Sequence, residues 1–281
     1  MKKTLNIAGK LLDLSQPQVM GILNITPDSF YEGSRFGQAT QAVARAAQMQ
    51  AEGATFIDIG GHSTRPGADA VSETEELNRV LPVVEAIRQQ LPDLVVSIDT
   101  FRASVARQAV AAGAHIINDI SGGNLDEAMF ETVANLGVPY VLMHSRGTPQ
   151  TMQQLTDYAH LVSDVIRELQ EKVARLRALG VKDVLIDPGF GFAKTATQNF
   201  ELLQHLEAFH ILDCPLLIGL SRKSMIWRTL HTTADQALNG TTVLNTIALT
   251  KGAQILRVHD VREAVEVVQL LAKMNTTGQT D

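Results

Sequence analysis

Eight short apolar runs recur along this chain, and nearly every one stops on a polar or charged residue able to reach a ligand. The runs are Val19–Leu23, Thr55–Ile59, Leu94–Ile98, His115–Ile117, Tyr140–Met143, Val184–Ile186, Leu216–Leu220 and Gln254–Leu256. Their exits are Asn24, then His62 with Thr64 and Arg65, Asp99, Asn118 with Asp119, His144, Asp187, Ser221 with Arg222 and Lys223, and Arg257 with His259. Eight strands separated by helix-length segments predict an α/β fold, a (β/α)8 TIM barrel with its active site where the strands end. An open doubly wound sheet ranks second, because polar exits spread over all eight units suit a closed ring better than two sheet halves.

The segments between the runs have helical periodicity. Glu73 to Gln90 places Leu77, Val80, Leu81, Val84 and Ile87 on one stripe, with Ser72 and Glu75 as a capping box, Thr74 as a competing cap and Pro82 as a source of a kink. Leu161, Ile166, Leu169, Val173 and Leu176 mark a second long helix, ending near Gly180 in a left-handed cap. Val261 to Met274 is the last helix, and Asn275 to Asp281 is read as a frayed tail. Strands alternating with helices pair in parallel through right-handed crossovers. The opening LNIAGKLLDL is expected to form a hairpin turning at Gly9 and Lys10 and sealing the bottom of the barrel. The whole of residues 1–281 is expected to be one domain, since a barrel needs roughly 250 residues.

Charge narrows the ligand. The formal net charge is −6, which opposes general nucleic-acid binding. Arg65, Arg222, Lys223, Arg257 and His259 nevertheless all follow strands, so an acidic chain gathers cations at one mouth and an anionic ligand is implied. No apolar run is long enough to span a bilayer. The start MKKTLNIAGKLLDLS is interrupted by Gly9, Lys10 and Asp13, so a secretory signal is not expected. Cys214 is the only cysteine, read as a packed core thiol, and a reducing cytoplasm is the expected compartment.

Several constellations carry chemistry. GILNITPDSFYEGSRF, between Gly21 and Phe36, is longer than an ordinary βα connection and reads as a lid. In IGGHSTRPGAD, Gly60 and Gly61 let backbone approach a ligand and Arg65 offers a fork to phosphate. Asp99, Asn118 and Asp187, at equivalent strand ends, suit the adjacent N–H groups of a guanidine-like edge on a flat heterocycle. GLSRKSM places a hydroxyl and two cations in one turn, an anion or aromatic-acid clamp with Lys223 also able to contact a ring carbonyl. RVHD ends the eighth strand, where barrels often bind phosphate, and Arg257 and His259, separated by one residue on the strand, point the same way. The chain has no HExxH, CxxC, GxSxG, Walker loop or EF-hand spacing, and its other histidines have no metal-ligand spacing.

The strings GILNITPDSF, STRPGA, SIDT, HIINDISGG, LMH, DPGFGF, SRKSMI and GAQILRVHDV, in this order, resemble those of the dihydropteroate synthases over essentially the whole chain. The resemblance implies a cytoplasmic transferase of folate biosynthesis, a sulfonamide target, that joins 6-hydroxymethyl-7,8-dihydropterin diphosphate to 4-aminobenzoate and releases pyrophosphate with Mg²⁺ present. It also implies a homodimer. By motif, Asn24 would ligate Mg²⁺, with Thr64, Arg65, Arg257 and His259 gripping the diphosphate. Asp99, Asn118, Asp187, Lys223 and Arg257 would hold the pterin. Phe30, Thr64, Pro66, Phe192, Ser221 and Lys223 would line the aminobenzoate site, and Asp99, Lys223, Arg257 and His259 would carry catalysis. His62 stands where the family pattern has Glu, Tyr31–Ser34 replaces Ser-Asp-Gly-Gly, Ser145 replaces Met, and Ala193 takes a Gly place where it should resist a positive φ. Two alternatives share parts of this pattern, a methyltetrahydrofolate-binding methyltransferase barrel and a non-catalytic pterin-binding homologue. Neither has a use for Asn24 and the diphosphate cations.

Overall fold

A computed structural model describes residues 3–25, 35–62 and 71–276. After a two-stranded hairpin, β1 (Thr4–Ile7) and β2 (Lys10–Asp13), eight parallel strands follow: β3 (Gln18–Asn24), β4 (Phe56–Gly60), β5 (Val95–Asp99), β6 (Ile116–Asp119), β7 (Tyr140–Met143), β8 (Val184–Asp187), β9 (Leu217–Ile218) and β10 (Ile255–Val258). Their order is β8-β7-β6-β5-β4-β3-β10-β9, and a parallel bridge from Ile186 to Leu216 closes the ring between β8 and β9. The TIM barrel expected from the eight runs is therefore present. The polar exits Asn24, Asp99, Asp119 and Asp187 prove to be the last residues of their strands, and Asn118 the last but one of its own. The seventh run gives only a two-residue strand.

Helices α1 (Arg35–Ala51), α2 (Glu73–Gln90), α3 (Ala103–Ala111), α4 (Met129–Leu136), α5 (Leu161–Ala178), α6 (Ala196–Gln204), α7 (Ser224–Thr229), α8 (Leu238–Thr250) and α9 (Val261–Thr276) alternate with the strands. The Ser72 side chain caps α2 by accepting from Glu75 N at 3.2 Å, and the helix continues through Pro82. Its fully buried stripe is Val80, Val83, Val84 and Ile87, while Leu77 and Leu81 sit at the rim of the contact. Along α5, Val165 rather than Ile166 is fully buried, and Gly180 follows the helix at φ +89°. Helix α9 runs through Thr276, past the expected start of the tail. Among the described residues no helix is long and apolar enough to cross a membrane.

Two apolar layers hold the molecule together. The larger lies between the outer faces of the strands and the helices, which buries each strand on both sides. The smaller fills the bottom of the barrel, where Met20, Phe56, Val95, Ile116, Val141, Leu185, Leu217 and Ile255 meet Leu5 and Ile7 of the hairpin and Leu14. Each such aliphatic side chain contributes about 1.5–3 kcal/mol on burial. The hairpin does seal the bottom, but its turn is Ala8–Gly9, at φ 49° and 88°, one residue earlier than expected. Two successive positive φ values give the turn that follows the natural strand twist.

Candidate active site

Side chains alternate across a strand. The parity that sends Phe56, Val95, Ile116, Leu185 and Ile255 into the bottom layer therefore sends Asp58, Ser97, Asn118, Asp187 and Arg257 inward two residues later. A further step brings Gly60, Asp99 and His259 to the mouth.

Asp58 is the hub of this middle level. Fully buried, it accepts from Ser97 Oγ at 2.6 Å, Asn118 Nδ2 at 2.8 Å and Arg257 Nε at 2.6 Å. Arg257 Nη2 reaches on to Asp99 Oδ2 at 2.9 Å, so one guanidinium bridges two strand carboxylates. A planar fork with fixed donors suits that bridge better than an ammonium. Burial pushes the Asp99 carboxyl up to about 6, with Arg257 opposing and Asp58 adding to the rise. Asp99 Oδ1 is buried and has no hydrogen-bond partner among the described residues, so it is an acceptor left open for a donor. Asp58 and Ser97 are the residues the sequence reading missed. Asp58 sits inside the apolar run FIDIG and Ser97 two residues before Asp99, and strand parity alone would have turned both toward the site.

Across the barrel, Asp187 Oδ1 accepts from Gly189 N at 2.8 Å. Its carboxyl is raised by burial, with Lys223 opposing. Burial lowers Lys223 to about 8, Asp187 resisting and Arg257 adding to the fall. Lys223 donates to Phe190 O, and its Nζ lies 4.6 Å from the centroid of the Phe192 ring. Ser221 and His259 are joined twice: His259 N donates to Ser221 Oγ at 3.2 Å, and Ser221 Oγ is 3.0 Å from His259 Nδ1. With the backbone N–H on one lone pair, the hydroxyl keeps both a proton and a second lone pair to offer Nδ1, so either ring tautomer fits this pair. Asn24 meets this group at the mouth. A Cβ at Gly60 would stand 3.5 Å from Asn24 Oδ1 and 3.8 Å from Asp99 Oδ2, so only a missing side chain separates the two oxygens.

Other expected residues turn elsewhere. Arg222 is drawn out of the clamp by a two-pronged ion pair with Asp260, at 3.0 and 2.6 Å, leaving Lys223 as the inward cation of that turn. Asp119 faces the outer side of the sheet and accepts from Tyr140 OH, Ser121 N and Gly123 N. His144 turns to Glu168 and Lys194. His62 packs edge-on against Phe101, with Nδ1 3.6 Å from Glu76 Oε1. Burial disfavours its charged form, yet Glu76 and Asp99 outweigh that and raise its pKa. Ala193 adopts φ +49°, the conformation it was expected to resist. Phe30, Tyr31, Glu32, Gly33, Ser34, Thr64, Arg65 and Pro66 lie outside the described residues. Among the described residues no three His, Cys, Asp or Glu side chains converge as a metal cage. Asn24 Oδ1 instead offers one hard oxygen at the mouth, the small protein share that suits a Mg²⁺ held largely by a phosphate ligand.

Comparison with known proteins agrees with this chemistry. The sequence profile of a family described as pterin binding enzyme matches residues 20–259. The chain is 46% identical over 265 residues to the dihydropteroate synthase of Escherichia coli K12, which covers 94% of this chain and 93% of that one. A crystal structure of the Yersinia pestis dihydropteroate synthase with a sulfonamide drug complex superposes with a TM-score of 0.90 at 46% identity, covering 97% and 99% of the two chains. The Xanthomonas albilineans dihydropteroate synthase with 4-aminobenzoic acid gives a TM-score of 0.90 at 41% identity, covering 98% and 99%.

Proposed function

Because this chain belongs to the dihydropteroate synthases, within the pterin binding enzymes, we propose that the residues converging at its barrel mouth carry that reaction in defined roles. The reaction joins 6-hydroxymethyl-7,8-dihydropterin diphosphate to 4-aminobenzoate, giving 7,8-dihydropteroate and pyrophosphate. The observation that carries the assignment is the buried level of Asp58, Asn118, Arg257 and Asp99, with Asp187 and Lys223 facing it. A pterin is flat, with donors along its amino-pyrimidine edge and a ring carbonyl beside them. Asp99, Asn118 and Asp187 supply acceptors to that edge, and Lys223 supplies a donor to the carbonyl.

The chemistry follows from those positions. The bond between the pterin methylene and the diphosphate oxygen breaks, its electron pair leaves with pyrophosphate, and positive charge develops on the pterin methylene. Asp99 stabilises that charge from a water-poor pocket, where a fixed carboxylate acts more strongly than in solvent. Arg257 and His259 face the leaving anion, with Thr64 and Arg65 assigned to the same diphosphate by motif. Mg²⁺, held by Asn24, would neutralise charge on the leaving group. The neutral arylamine of 4-aminobenzoate attacks the methylene, the carbon–nitrogen bond forms, and the amine proton passes to solvent. No general base is required, because positioning and charge stabilisation suffice for an amine that is already nucleophilic. Phe192 and Ser221 line the aminobenzoate side together with Lys223, and Phe30 and Pro66 are assigned there by motif. Sulfonamides, which mimic aminobenzoate, compete for this site.

The whole chain acts as a single barrel domain in the cytoplasm, consistent with one buried cysteine, Cys214, that forms no disulfide. It works as a homodimer, and the exposed apolar side chains Val243 and Ile247 on α8 and Leu270 and Met274 on α9 supply a face for pairing. The test of the catalytic assignment is Asp99→Asn assayed with both substrates saturating. A fall in kcat of at least about a hundredfold is expected for loss of a transition-state charge partner. Unchanged turnover would remove Asp99 from that role.

A further inference from the structure

Behind the site lies a buried ionisable chain that the reaction does not use. Lys194 is buried, and its Nζ has three acceptors within hydrogen-bonding distance: His144 Nδ1 at 2.9 Å, Gly189 O at 3.0 Å and Phe192 O at 3.0 Å. An ammonium has three protons, so the match is one donor to each acceptor. His144 Nδ1 then accepts, which puts the imidazole proton on Nε2, 3.0 Å from Glu168 Oε2. Burial and the neighbouring Lys194 charge lower His144 to about 4, so the ring is neutral, as this pattern requires. Glu168 is held in turn by Arg146. Arg146 lies 3.9 Å over the Tyr158 ring, and Tyr158 OH donates to Ala193 O at 3.0 Å. Burial lowers Lys194 to about 7, Asp187 on β8 and Glu168 on α5 resist the fall, and Lys223 after β9 and Arg146 after β7 add to it; the three acceptors around Nζ favour the ammonium.

The loop so gripped is the one that forms the site. Gly189 lies so close to β7 that a Cβ there would stand 1.9 Å from His144 O, and its φ is +75°. Successive carbonyls of this loop are taken from opposite sides. Lys194 takes Gly189 O and Phe192 O from behind, and Lys223 takes Phe190 O from the barrel mouth while facing the Phe192 ring. We propose that Lys194, oriented by His144 and Glu168, is a positioning residue that fixes the Gly189–Phe192 loop and so sets Phe192 and Lys223 for 4-aminobenzoate. This rests on the assignment of Phe192 and Lys223 to the aminobenzoate site. The device also accounts for Ala193. Its left-handed backbone is unfavourable for a residue with a Cβ, and it is held on both flanks, by Tyr158 on its own carbonyl and by Lys194 next in the chain.

The experiment compares Lys194→Met, His144→Phe and His144→Gln with the parent enzyme in steady-state kinetics, alongside thermal melts. Lys194→Met keeps the length of the side chain and removes its donors. It is expected to raise the KM for 4-aminobenzoate by at least about tenfold, the order of loss that follows a small displacement of a substrate contact. The KM for the pterin diphosphate should rise less than that for 4-aminobenzoate, since Asp58, Asn118 and Arg257 are untouched and the pterin shares only its Lys223 and Asp187 contacts with this loop. Gln at position 144 keeps one acceptor and one donor, so His144→Gln should recover most of the aminobenzoate KM that His144→Phe loses. A purely structural role would lower the melting temperature in all three variants and leave both KM values unchanged in the folded protein, which would overturn the proposal. Equal KM values for His144→Phe and His144→Gln would do the same, and that pair decides the matter if Lys194→Met does not fold. If the parent enzyme itself shows no saturable dependence on aminobenzoate, the assignment of that site fails rather than the brace behind the loop.

Discussion

Asp99 shows how a residue proposed for the chemistry works against the fold that holds it. Its carboxyl is raised from 3.8 to about 6, first by burial, so the folded state binds a proton more tightly than the unfolded chain. Stability contributed by this group is therefore present at low pH and falls as pH rises through that window. Asp99→Asn keeps an acceptor for Arg257 and removes the ionisation. It should melt at a higher temperature than the parent near about pH 7, with the gain fading toward about pH 4. An Asn variant no more stable than the parent at neutral pH would contradict the assigned burial cost. At Ala193 the expectation is simpler. Glycine adopts φ +49° at no steric cost while alanine does so at a penalty, so Ala193→Gly should stabilise the enzyme by up to about 1 kcal/mol, read as a higher melting temperature. At this scale the sequence exposed strand-end residues and concealed internal ones. Asp99, Asn118 and Asp187 stood out because apolar runs stopped at them, whereas Asp58 was hidden inside such a run. Arg222 and Lys223 looked equivalent as neighbours in one turn. Only the position of Asp260 separates them, and that pairing spans 38 residues.

The elements were legible wherever one period persisted. Helix α2 could be read to both ends because Ser72 caps it and its apolar stripe is continuous. The two-residue β9 was overestimated, since Leu216–Leu220 is apolar throughout but pairs only briefly before the chain turns into the site. The hairpin was recognisable from its alternation, and its register slipped by one because Ala8 as well as Gly9 adopts a positive φ. Its role is separable from catalysis. Leu5 is fully buried in the bottom layer, at the end of the barrel opposite the site. Leu5→Ala should therefore cost about 2–5 kcal/mol of stability, measured by denaturant unfolding. The kcat and both KM values should remain near those of the parent. A loss of turnover in protein shown to be folded would mean that the hairpin couples to the mouth.

Taken as a whole, the molecule separates stability from chemistry along the barrel axis. Apolar side chains fill the bottom, a hydrogen-bonded level built on Asp58 fills the middle, and cations and open acceptors gather at the mouth. A net charge of −6 gives no hint of that basic mouth, which only the closing of the ring assembles from Lys223, Arg257 and His259. Their convergence was foreseeable once eight strands were counted, because a ring brings all strand ends to one face. The brace through Lys194, His144 and Glu168 was not, since it depends on the orientation of side chains on β7, α5 and the loop after β8. The most direct measurement is pyrophosphate release by the purified protein given dihydropterin diphosphate and Mg²⁺, with and without 4-aminobenzoate, together with detection of dihydropteroate. The account predicts aminobenzoate-dependent product in step with pyrophosphate. Tight binding of the pterin substrate with no release and no product would contradict it.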